Sequence, residues 1–149
     1  MNFETNINYK FSQITNDFWL KLEKSMNEIG LHGGQIFILI SLWSEDGQSQ
    51  IDLSKKLKST PPTIHKMIKS LRKNNFINVK RDKKDARIVR VFLTAKGNDI
   101  RAQVEDQWIK LESEFFSPLT ETEKLILLQI SEKLGENLTG KVETQDTPQ

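Results

Sequence analysis

Fourteen lysines and arginines fall within residues 54–96, with only two acids, Asp82 and Asp85, so this stretch carries +12. The rest of the 149-residue chain holds eight basic and eighteen acidic residues, a net of −10, and the total of +2 is a cancellation. Positive charge gathered in this way repels itself unless an anionic partner uses it. Three readings fit: a solvated lysine-rich face, an anionic membrane surface, or the phosphates of a nucleic acid. Other chemistry has few residues to work with. The absence of cysteine excludes disulfides, thiolate metal sites and thiol redox sensing, and two histidines, His32 and His65, are too few for a histidine-rich metal site. No nucleophile–base pair, phosphate-binding loop or metal-ligand spacing stands out, so neither enzyme activity nor a cofactor is expected. No apolar run approaches the roughly 18 residues that span a bilayer. The first residues, Met1-Asn2-Phe3-Glu4, lack the basic start and apolar stretch of a signal peptide. A cytoplasmic protein of one domain is the expectation.

The elements that must position the charge follow from periodicity. Ile7, Phe11, Ile14, Phe18, Leu22, Met26 and Ile29 step by three or four, one stripe of a long helix ended by Gly30. Residues 36–43 are almost continuously apolar and suit a short buried helix or a strand, with the helix preferred. Ser49-Gln50-Ile51-Asp52 is a helix start, with Leu53 and Leu57 as a short apolar pair. Ser59-Thr60-Pro61-Pro62 opens another helix, where a hydroxyl caps free amides and proline fits the first position. Its buried stripe is Ile64, Met67, Ile68 and Leu71, which leaves Thr63, His65, Lys66, Lys69 and Lys73 outside, and Asn74-Asn75 supplies a left-handed stop. Residues 77–81 and 88–93 are β-branched and partly alternating, a hairpin whose tip is Asp82-Lys83-Lys84-Asp85-Ala86-Arg87. Ile100, Val104, Trp108, Leu111 and Phe115 mark a further helix stopped near Pro118. Thr120-Glu121-Thr122-Glu123 is a capping box for a last helix through Leu127, Ile130, Leu134 and Leu138. Residues 140–149 are polar and aperiodic, an expected disordered tail.

The expected fold is therefore mainly α with a small β-hairpin: a winged helix-turn-helix core, about 31–97, flanked by further helices at both ends. Such a core suits duplex DNA, because its second short helix fits the major groove and a basic hairpin tip reaches the flanking minor groove. A membrane-surface helix would need a broad Trp/Phe/Leu face beside its lysines, and here the charge divides between a compact helix and a hairpin.

The run from Asp82 through Arg87, Val91, Leu93 and Thr94 to Gly97 resembles the wing of MarR-type (multiple antibiotic resistance regulator) transcription factors, D-x-x-D-x-R, a strand, then L-T-x-x-G. Leu53, Leu57, Ser59, Thr63, Ile64 and Leu71 fall where that family's helix-turn-helix has them, and the element order agrees over residues 7–139. The resemblance implies that Arg87 enters the minor groove, oriented by Asp85, and that 61–73 is the recognition helix. Ser59, Thr60, Pro62, Thr63, His65, Lys66, Lys69, Lys73, Arg81, Lys83 and Lys84 complete the expected DNA-binding set, though His65 also fits as a solvated side chain. Ala86 stands where the family commonly has a second arginine, which weakens the wing's phosphate contacts; Ser54 for alanine and Asn75 for glycine are milder departures. The resemblance further implies a single domain over 1–139 in which helices 7–29 and 98–139 form a homodimer reading a pseudo-palindrome, with half-sites about 34–36 Å apart. The monomeric alternative packs the two chain ends on each other. Phe18, Trp19, His32 and Phe37 are candidates for a pocket holding a small aromatic effector, with helix capping or solvent as the other role for His32. A transcriptional repressor relieved by such a ligand is the expected function; an architectural, non-specific DNA-binding dimer without an effector is the alternative.

Overall fold

The computed structural model describes residues 2–140, and its side chains through residue 138. The elements run α1 (Ile7–Asn27), α2 (Gln35–Ser44), β1 (Gln48–Ser49), α3 (Gln50–Lys56), α4 (Pro61–Lys73), β2 (Ile77–Arg81), β3 (Val89–Leu93), α5 (Ala95–Phe115) and α6 (Glu121–Gly140), after a short 3-10 turn at Phe3–Thr5. The chain divides into two compact units between Leu111 and Glu112.

In the first unit one core joins Leu22 and Met26 of α1 to Ile36, Ile38, Leu39 and Leu42 of α2 and to Leu53, Ile64, Ile68 and Leu71 of the two short helices. Ile77, Val91, Ile100 and Val104 complete it from the strands and α5. The N-terminal half of the α1 stripe stays outside: Ile7, Phe11 and Ile14 are all more than half exposed.

Three helix ends use the same device. After α1, α3 and α4 the chain passes through a left-handed residue: Gly30 (φ 79°), Lys58 (φ 49°) and Asn75 (φ 61°). Behind Asn75, the N–H of Phe76 returns to the carbonyl of Leu71 (3.0 Å) and that of Asn75 to Arg72 (3.0 Å), which satisfies two carbonyls at the end of α4. The tight α3–α4 turn closes likewise, Ser59 N–H on the Ser54 carbonyl at 3.1 Å.

At the start of α4 the expected cap is different in detail. Thr60 holds the N-cap position, but its hydroxyl pairs with that of Thr63 (2.8 Å) and bonds no backbone amide. Pro61 and Pro62 remove the amides at the first two helical positions, and the Thr63 amide at the third takes no side-chain cap.

The hairpin is the larger part of a three-stranded antiparallel sheet, ordered β1-β3-β2. β2 and β3 pair from Ile77 with Leu93 to Arg81 with Val89, and the two-residue β1 adds Gln48 opposite Val91 and Ser49 opposite Arg90. Ser49 both ends that strand and caps α3, its hydroxyl accepting the Asp52 N–H at 3.0 Å.

In the second unit the capping box is reciprocal: the Thr120 hydroxyl accepts the Glu123 N–H (3.2 Å), and the Glu123 carboxylate accepts the Thr120 N–H (2.8 Å). The Thr120 N–H first, and then the Thr120 hydroxyl donating to the same carboxylate oxygen at 3.0 Å, hold the Glu123 carboxyl below its ordinary pKa. Leu125, Ile126, Leu127, Leu128, Ile130, Leu134 and Leu138 of α6 are all exposed. Of the expected unstructured tail, 140–149, Gly140 instead ends α6 and the rest lies outside the described residues.

Candidate nucleic-acid interface

The α4 helix is amphipathic along its whole length. Ile64, Ile68 and Leu71 are buried, whereas Pro62, Thr63, His65, Lys66, Lys69 and Lys73 are exposed. Thr60 is exposed at its start and Ser59 half-buried in the preceding turn. Gln35 of α2 fixes the helix from the core side, its amide donating to the Ser70 hydroxyl at 2.9 Å. The helix passes through Asn74 and Asn75 directly into β2, so the basic helix and the basic hairpin are consecutive rigid elements. Among the described residues no carboxylate lies within ion-pair distance of Lys66, Lys69, Lys73, Lys83 or Lys84.

The hairpin tip is built by its two acids. Asp85 accepts Nε–H (3.0 Å) and Nη2–H (2.9 Å) of Arg87, a bidentate pair, and also the Arg87 backbone N–H (3.0 Å). Of the five guanidinium donors, three remain for another partner. The Arg87 side chain is 90% exposed even so. Pairing with Arg87 lowers the Asp85 carboxyl below its ordinary value and raises the Arg87 guanidinium above its own. Arg87 is thus charged, extended and directed, with its outer edge open.

Asp82 organises the other side. One oxygen accepts Nε–H of Arg90, and the other accepts the backbone N–H groups of Lys84 (2.9 Å) and Asp85 (3.0 Å). The Arg90 bond and then the two amides hold its carboxyl at about 2, against an ordinary 3.8. Arg81, expected to face DNA, is exposed but donates to the Ala86 carbonyl at 2.7 Å, so it also braces the tip. Sequence reasoning named neither Asp82 nor Arg90 as site residues. The D-x-x-D-x-R spacing held the signal for Asp82, while Arg90 looked like an ordinary strand residue.

Of the expected effector residues, Trp19 and Phe37 come together, stacked 7° from parallel with ring centroids 6.4 Å apart. Phe37 also meets Trp108 of α5 edge-on at 6.4 Å. Phe18 packs half-buried on the core. His32 meets α1: its ring Nδ1 lies 3.1 Å from a Glu23 carboxylate oxygen, and the other oxygen of Glu23 accepts the Gly33 N–H at the entry to α2. Beside Trp108 opens a groove of about 490 Å³ between α2 and α5, lined by Ile40, Trp43, Arg101, Val104 and Ile109 among others. The Arg101 guanidinium stands 5.8 Å from the Trp43 ring centroid and donates to Glu105 at 2.7 Å.

A helix-turn-helix with an unpaired basic helix and an arginine-tipped wing makes this a DNA-binding transcriptional regulator of the MarR winged-helix type, not an enzyme. A MarR transcriptional regulator from Methanosarcina mazei Go1 superposes with a TM-score of 0.82 at 27% identity, over 90% of this chain and 96% of that one. The model of the transcriptional regulator SarA/Rot family matches residues 21–104, and the chain belongs to that family. The HTH-type transcriptional regulator BilQ of Clostridium symbiosum (strain WAL-14163) is 25% identical over 119 residues, 80% of this chain and 83% of its own. The fold is shared with Bordetella bronchiseptica BpsR, at a TM-score of 0.82 and 18% identity, over 91% of this chain and 96% of that one. Among the described residues no helix is long and apolar enough to cross a membrane.

Proposed function

We propose that the chain acts in the cytoplasm as a sequence-specific, dimeric repressor of transcription, bound to double-stranded DNA and released by a small aromatic ligand. The observation that carries the DNA reading is the exposed Arg87 held by Asp85 at the end of a hairpin that continues directly from α4. In this reading α4 enters the major groove. Thr63, His65, Lys66 and Lys69 meet base edges or phosphates, and Ser59, Thr60, Pro62 and Lys73 lie at its two ends. Arg81, Lys83 and Lys84 meet phosphates, and Arg87 enters the adjoining minor groove, whose narrow A·T-rich stretches concentrate negative potential. One regulatory domain over 1–139 carries both parts. A second copy covers the exposed apolar residues of α1 and α6, so that two recognition helices read a pseudo-palindrome.

The release step rests on the aromatic set Trp19, Phe37 and Trp108 beside the α2–α5 groove, which Arg101 and its ion-pair partner Glu105 also line. The BpsR structure concerns regulation of DNA binding by 6-hydroxynicotinic acid, a small aromatic molecule.

Binding is tested by titrating the protein with a labelled fragment from upstream of its own coding region. A dimer making ~6–10 phosphate contacts loses roughly 10³–10⁵ in affinity between about 50 and 200 mM salt. Arg87→Ala weakens binding by about 1–3 kcal/mol. Flat salt dependence or an unchanged Arg87→Ala affinity would refute the groove assignment. A specific-to-random affinity ratio near one would assign the architectural role instead.

A further inference from the structure

We propose that Arg90 is a positioning residue: through Asp82 it locks the wing tip to the body of the sheet, and so presents Arg87 to DNA without touching DNA itself. The inference rests on the minor-groove reading of Arg87 given above.

The anchor is the turn at Asp46-Gly47, which is pinned to β3. The Gly47 N–H donates to the Val91 carbonyl (3.0 Å), and Asp46 Oδ1 accepts the Leu93 N–H (2.9 Å). Gly47 also lies against Phe92 so closely that a Cβ there would stand 2.8 Å from the ring. Onto this fixed point Arg90 donates Nη1–H, to the Gly47 carbonyl at 3.0 Å, while its Nε–H goes to Asp82. Asp82 in turn holds the amides of Lys84 and Asp85, and Asp85 holds Arg87. The tip is therefore joined to the α2–β1 turn by one continuous line of hydrogen bonds.

Arg90 is also less open than the residue it supports: its side chain is 38% exposed and that of Asp82 15%, against 90% for Arg87. Two of its nitrogens are committed to two separate acceptors. A planar fork reaches both from two separate nitrogens, whereas a lysine ammonium has all its donors on one nitrogen at the end of a flexible stem. With the line cut, the tip keeps the Arg81–Ala86, Asp82–Ile88 and Ile88–Asp85 bonds but loses its tie to the Asp46-Gly47 turn, and DNA must order more of it on binding. An unrestrained side chain of this kind weakens binding ~2- to 10-fold.

The test is fluorescence anisotropy on a labelled A·T-rich duplex longer than two helical turns, at low salt, with Arg90→Met, Arg90→Lys, Arg87→Ala and the double variant Arg87→Ala/Arg90→Met. Positioning gives a ~2- to 10-fold loss for Arg90→Met and the same loss for Arg90→Lys. In the Arg87→Ala background, Arg90→Met then causes no further loss, because nothing is left to position. A direct phosphate contact gives the reverse: Arg90→Lys binds like wild type, the Arg90→Met loss persists without Arg87, and the salt slope falls by about one. That result, or full affinity in Arg90→Met, overturns the proposal and leaves the wing reading standing. A wild-type chain that binds no duplex overturns both. Thermal melts check folding, and Asp82→Asn, which cuts the same line one step along, replaces Arg90→Met if that variant fails to fold.

Discussion

Asp82 and Asp85 are three residues apart in the same tip and do different things. Asp85 meets one arginine and aims it outward; Asp82 meets another and ties the turn down. The Asp82 carboxyl is held at about 2, from 3.8, by the Arg90 hydrogen bond first and the amides of Asp85 and Lys84 next. A carboxyl lowered in the folded state adds stability that is fully present above its unfolded value and is lost as pH falls through the folded one. The clamp is accordingly constant across neutral pH and fails only on acidification from 3.8 towards about 2. The Asp82 carboxyl carbon, followed by NMR, should titrate with a midpoint near 2 in the wild type and move towards 3.8 in Arg90→Met. A wild-type midpoint at 3.8 would mean that the clamp does not form in solution.

Among the elements, the junction of wing and α5 shows why the L-T-x-x-G run has its last residue. The Thr94 hydroxyl donates to the Asn75 carbonyl (2.6 Å) and accepts the Gly97 N–H (3.0 Å), which starts α5. Gly97 then passes so near the Phe76 backbone that a Cβ would lie 2.0 Å from its carbonyl oxygen. Backbone cannot give way as a side-chain tip can. Gly97→Ala should lower stability by at least the upper end of the about 1–3 kcal/mol of ordinary overpacking, read from the shift of the urea midpoint. Most of this layer was legible in sequence because its causes are local: the α4 stripe, the Asn75 stop, the Thr120 box and the hairpin all announce themselves by spacing. What escaped notice depends on contacts distant in sequence or on unsuited residues. Two-residue β1 shows no period, Lys58 is a side chain that rarely adopts a left-handed turn, and the Arg90–Gly47 bond joins residues 43 apart. The α4 cap differed because Pro62 removed the N2 amide and the Thr60 hydroxyl pairs with that of Thr63 instead of its N3 amide.

At the scale of the molecule, the apolar surface that the chain leaves uncovered is the dominant feature. The first half of α1 and the whole described length of α6 expose large aliphatic and aromatic side chains. Each of these helices, taken by itself, exposes more large apolar side chains than the surface of a monomeric soluble protein usually does. With a second copy as the cover, sedimentation equilibrium should find a dimer at the concentrations that saturate DNA. Ile130→Glu/Leu134→Glu on α6 should give monomers with roughly half the salt slope of binding, because each monomer carries half the phosphate contacts. A wild-type monomer at those concentrations would refute the dimer. The bare α6 face has a further meaning for abundance. In such a dimer α6, with no buried side chain among its described residues, would draw its order from the second copy, and the assembled form would rise with the square of chain concentration when chains are scarce. Halving the supply of chains would then remove three-quarters of the assembled protein, and occupancy of DNA would respond more steeply to synthesis and turnover than a self-sufficient monomer's.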